Sequence, residues 1–72
     1  MSEQAKKTEF VSFCIEAYAK AKHLSGADVC ALFERFGALG YLRRGYDVLH
    51  AMSEAWLVAE LDGYLKARGF AA

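Results

Sequence analysis

Apolar side chains recur along this chain at helical spacing almost from end to end. The densest pattern lies in residues 39–52, LGYLRRGYDVLHAM, where a projection at about 100° per residue sorts the apolar positions into two adjacent stripes. Leu39, Leu42, Tyr46 and Leu49 form one stripe; Tyr41, Val48 and Met52 form the other. Together they cover about half the circumference, more than the arc of roughly 100° through which a surface helix meets one neighbour. The segment is therefore expected to be a single helix touching two partners, the central post of a small bundle. Gly40 and Gly45 each cost about 1 kcal/mol relative to alanine in a helix interior, so the post is expected to break or kink at one of them. Its opposite arc carries Arg43, Arg44, Asp47 and His50 beside the small Gly40 and Ala51.

Three further helices surround it in the reading. Over residues 9–22 the positions Phe10, Phe13, Cys14, Ala17, Tyr18 and Ala21 repeat at helical spacing, with Val11 and Ile15 widening the stripe. Glu9, Ser12, Glu16, Lys20 and His23 lie opposite, and Glu16 with Lys20 makes a favourable i,i+4 pair. In the run from Leu24 to Val29, Ser25 is placed to cap a helix starting at Gly26, with Asp28 returning the bond and Leu24 stapling onto Val29. That helix is expected to bury Val29, Leu32, Phe33 and Phe36 and to end at a left-handed Gly37. Ser53 is a second candidate cap, for a last helix over residues 54–68 that buries Leu57, Val58, Leu61, Tyr64 and Leu65. Gly69 would end it, with Phe70 folding back on Leu65. The expected architecture is all-α: a four-helix bundle over residues 9–70, preceded by a polar lead-in over residues 1–8.

Composition narrows the possibilities. Seventy-two residues make one small domain, which hides only about 60 % of its unfolded surface. An apolar share of 56 % is more than four short helices easily bury, which favours self-association as a homodimer or a protein partner. Nine basic and nine acidic side chains cancel, so no long-range field attracts phosphate backbones or anionic lipid. No apolar run approaches the roughly 18 residues of a spanning helix, and residues 1–8 are too polar for a signal peptide; the expectation is a soluble cytoplasmic protein. Cys14 and Cys30 then read as reduced core thiols.

On the last helix Trp56, Ala59, Gly63 and Ala67 project onto a strip opposite the core face. A large aromatic followed by small residues one turn apart is a surface against which another helix can lie close, with Trp56 as the anchor. Arg43, Arg44, Asp47 and His50 extend the candidate partner surface. Asp47 and His50, three apart on a helix, also admit an enzymatic alternative in which the carboxylate orients the imidazole. No nucleophile accompanies them, no cofactor motif is present, and Cys14, His23, Cys30 and His50 match no zinc spacing, so no enzyme, metal or cofactor is expected. A weak nucleic-acid binder using Arg35, Arg43 and Arg44 is the remaining alternative. A DNA-binding helix-turn-helix spanning Gly37 is disfavoured by Phe33, four residues before the glycine, where the crossing of the two helices needs a small side chain.

The motifs FCIEAY at residues 13–18, Leu24-Ser25-Gly26, Phe36-Gly37, Tyr41-Leu42, YDVLH at residues 46–50 and Leu61-Asp62 before Tyr64-Leu65 resemble a family of short uncharacterised bacterial proteins, over about residues 9 to 69. The family has no assigned activity. Its members resemble small accessory proteins, some encoded beside ADP-ribosyltransferase-like proteins in toxin–antitoxin fashion, which implies a protein-binding role. The chain departs from the family pattern at Ala51-Met52-Ser53, where a threonine and a glycine are more usual, and at Gly63, where an acidic residue is commoner.

Overall fold

A computed structural model describes residues 2–71 as five helices with no strand: α1 Glu3–Lys22, α2 Gly26–Phe36, α3 Ala38–Arg44, α4 Tyr46–Leu49 and α5 Glu54–Ala67. The all-helical architecture matches the sequence pattern; the number of helices does not. Where one central helix was expected, Gly45 separates α3 from α4, and residues 50–53 form a turn before α5.

α1 starts six residues before residue 9, where the periodic stretch was expected to begin. Ser2 caps it, its Oγ accepting from the Ala5 amide at 3.1 Å, and residues 3–9 contain neither glycine nor proline. Apolar periodicity cannot register such a polar first turn. The helix ends at His23, a non-glycine residue in the left-handed region (φ 58°), where the Leu24 amide donates to the Ala19 carbonyl at 2.9 Å. Ser25 caps α2 as its position predicts, accepting from the Asp28 amide at 3.0 Å. Among the described residues the return bond from Asp28 is not formed, and Leu24 stays 42 % exposed. Gly37 (φ 77°) closes α2. Ser53 caps α5 through the Trp56 amide, and beyond Gly69 (φ 103°) the Phe70 amide donates to the Leu65 carbonyl, folding Phe70 onto the Phe36 ring 5.9 Å away.

The core forms where α1, α2, α3 and α5 meet. Cys14, Tyr18, Val29, Phe33, Leu42, Leu57, Leu61 and Leu65 are all fully buried. α3 packs against α1, α2 and α5, so the central post is this seven-residue helix rather than all of residues 39–52. One of the two stripes read from that segment is buried, and of the other only Tyr41 packs against the core. Leu42 and Leu49 enter the core with Leu39 and Tyr46 half-buried, whereas Val48 is 64 % and Met52 37 % exposed, with no helix among the described residues packed over them. Phe13 and Ala21, both expected in the core stripe of α1, are likewise exposed, whereas Ala19, outside that stripe, is buried.

Gly45 owes its place to its own neighbours. A Cβ built there would stand 2.7 Å from Leu49 Cδ1 and 3.3 Å from the Tyr41 carbonyl oxygen. The missing side chain makes room for Leu49.

Candidate interaction surface

α5 turns Leu57, Leu61 and Leu65 inward, which fixes what its opposite side presents. Trp56, Ala59, Gly63 and Ala67 are all exposed along that side, and nothing lies within 4 Å of where a Gly63 Cβ would be. This is the strip projected from the sequence, and among the described residues no element of the chain covers it. Ser53 sets its upper end, because the cap fixes the first turn from which the half-exposed indole projects.

The flanks of α5 are tied down by bonds that no local pattern announces. On one side the Tyr18 hydroxyl and the Lys22 ammonium each donate to the Asp62 carboxylate at 2.9 Å, joining α1 to α5, with Lys66 at 3.5 Å. The Lys22 hydrogen bond holds the Asp62 carboxyl below the usual aspartate range, while burial and its own bond to Asp62 push the Tyr18 phenol up to about 12. On the other side the Tyr41 hydroxyl donates to Glu60, the Tyr64 hydroxyl donates to the Gly37 carbonyl at 3.2 Å, and the two rings stack at 4.4 Å. The Arg68 guanidinium closes this stack, 3.5 Å above the Tyr64 ring. α5 is thus tied to its neighbours along both edges, on either side of its outward strip.

The polar arc does not act as one unit. Arg43, half-buried, donates to Gln4 Oε1 at 3.3 Å and Thr8 Oγ1 at 3.0 Å, so its guanidinium pins the first turns of α1 instead of facing outward. Arg44 is exposed, folded over Gly40. The carboxylate–imidazole pair of the enzymatic alternative is not formed. His50 Nδ1 lies 2.7 Å from the Tyr46 carbonyl oxygen, which can only accept, so this nitrogen donates. The imidazole also stacks on the Tyr46 ring at 4.4 Å and 6°, and Tyr46 in turn meets Phe10 edge-on. A backbone acceptor one turn back and an aromatic face have outcompeted Asp47, which stays exposed.

Burial pushes the Cys14 thiol up to about 12, leaving almost none of it as thiolate near neutral pH. Among the described residues no three His, Cys, Asp or Glu side chains are grouped to hold a metal ion, and no helix is long and apolar enough to cross a membrane. A groove of about 160 Å³ lies between Phe13, Glu16, Ala17 and Lys20 of α1 and Glu54 of α5, well under the roughly 300 Å³ at which ligand pockets begin. The expected Glu16–Lys20 ion pair does not close to within 4.0 Å.

Comparison with known families gives a match over residues 9–68 to a family model whose description is "Protein of unknown function (DUF3791)". The match covers nearly the whole stretch over which the motifs resemble a family of short uncharacterised proteins. No curated protein and no solved structure matches the chain.

Proposed function

The chain belongs to the DUF3791 family of proteins of unknown function, and on that premise we propose that it is a non-enzymatic protein-interaction module whose binding surface is the outward face of α5. The observation that carries this is the strip of Trp56, Ala59, Gly63 and Ala67, exposed and uncharged on a helix whose opposite face is fully committed to the core. A half-exposed tryptophan beside residues with little or no side chain lets a second helix approach closely and gives it one large anchor. The partner class implied by the family resemblance is an ADP-ribosyltransferase-like protein, with this chain in the antitoxin-like or accessory role, and it is the first class to test.

Trp56→Ala and Ala59→Glu separate binding from folding. Both positions are exposed, so urea unfolding should move by about 1 kcal/mol or less for each. Capture of the partner by the tagged chain should fall at least tenfold, an ordinary loss for a central aromatic anchor. Undiminished capture by both variants, or a loss of binding that merely follows a loss of stability, would remove α5 as the interface.

A further inference from the structure

We propose that the elbow between α4 and α5 extends this surface and that its occupant is a basic amphipathic helix of another protein; the inference rests on the reading of α5 as an interface. Val48, Met52 and Trp56, four residues apart in sequence, are 64 %, 37 % and 42 % exposed. They follow one another through a tight connection in which the Ala51 amide donates to the Val48 carbonyl and the Met52 amide to the Leu49 carbonyl. Three large apolar side chains are therefore displayed from one short run, next to the uncharged strip of α5.

Along the run that displays them the charge is one-sided, with Lys20 of α1 lining the groove that Glu54 borders. The chain is neutral overall, yet residues 45–65 contain Asp47, Glu54, Glu60 and Asp62 and no lysine or arginine. Asp62 is matched by Lys22 and Lys66, and Glu60 accepts from Tyr41. Asp47 and Glu54 are exposed, and among the described residues neither has a cation within 4.0 Å. Apolar side chains bordered by unmatched carboxylates are complementary to a helix with an apolar stripe and lysines or arginines on its flanks. A second copy docking isologously would bring the same two carboxylates to the interface again. Nucleic acid and anionic lipid, both negative, are repelled by the same two groups.

Trp56, the single tryptophan, reports the event directly. The probes are a Leu/Lys amphipathic helical peptide and its Leu/Glu counterpart, titrated into the intact chain at low salt. The Leu/Lys peptide should shift Trp56 emission to the blue and saturate, and the Leu/Glu peptide should not. Affinity should fall about tenfold in the Asp47→Asn, Glu54→Gln double variant, because both cation partners are lost. The Glu3→Gln, Glu9→Gln double variant, which removes equal charge from exposed positions of α1, should bind as the parent does. Equal response to both peptides, or full affinity in the Asp47 and Glu54 double variant, overturns the basic partner while leaving the α5 strip as an interface. No saturable response to either peptide also overturns it, and the Trp56→Ala capture experiment then decides the strip separately.

Discussion

Phe33→Ala is expected to lower the unfolding free energy by about 3 to 5 kcal/mol, the usual cost of emptying a core phenylalanine site. The ring is fully buried, lies 5.4 Å from the Tyr18 ring, and is the larger of the two α2 side chains, with Val29, that are fully buried in the core. A chain of 72 residues has roughly 4 to 11 kcal/mol to lose in total. The variant should therefore unfold at far lower urea and populate the unfolded state measurably at 37 °C. Urea unfolding followed by circular dichroism measures it. A change under about 1 kcal/mol would mean that α2 does not close the core as described. Phe33 is also the residue whose size argues against a helix-turn-helix crossing, and it fills the space in the core where α2 meets α1.

The second large effect concerns glycines, where helix propensity and structure disagree in sign. By propensity alone, alanine at Gly40, Gly45 or Gly63 should stabilise by up to about 1 kcal/mol. Gly63→Ala should do so, since it meets open space, and so should Gly40→Ala, since it meets only the far end of the exposed Arg44 side chain. Gly45→Ala should instead destabilise. Its Cβ would stand 2.7 Å from Leu49 Cδ1 and 3.2 Å from Cγ, and Leu49 is nearly fully buried and has nowhere to retreat. Overpacking of this kind costs about 1 to 3 kcal/mol, enough to exceed the propensity gain. The three variants compared by urea unfolding decide the matter. Gly45→Ala as stable as Gly63→Ala would show that the space between α3 and α4 is not filled by Leu49.

What the sequence made legible follows from how far each signal reaches along the chain. Ser25, Gly37, Ser53 and Gly69 act on groups three to five residues away, so their roles could be read directly, and all four sit at the ends expected of them. The α5 strip was legible for the same reason, since once Leu57, Leu61 and Leu65 point inward the opposite positions are determined by helix geometry. The start of α1 was not, because its first turns are polar and its anchor, Arg43, lies 39 and 35 residues from Gln4 and Thr8. Tyr18 and Asp62 are 44 residues apart, beyond any local pattern. Val48 and Met52 misled for a related reason: apolar periodicity says which side chains could be buried, and only the arrangement of neighbours says which are. The acidic bias of residues 45–65 was visible in the sequence, but its meaning depended on knowing which carboxylates the fold had already paired. His50 failed as an Asp47 partner because every helical residue offers a carbonyl one turn back, and in this position the Tyr46 ring adds a stacking surface.

All of the functional reading depends on a chain that closes its core by itself and leaves the outward face of α5 in water. Acrylamide quenching of Trp56 emission, at a concentration where light scattering reports single chains, tests this most directly. An emission maximum near that of a solvent-exposed indole, quenched efficiently and unchanged on further dilution, is the predicted result. A blue, poorly quenched emission from the single chain would place Trp56 inside its own fold and contradict the account.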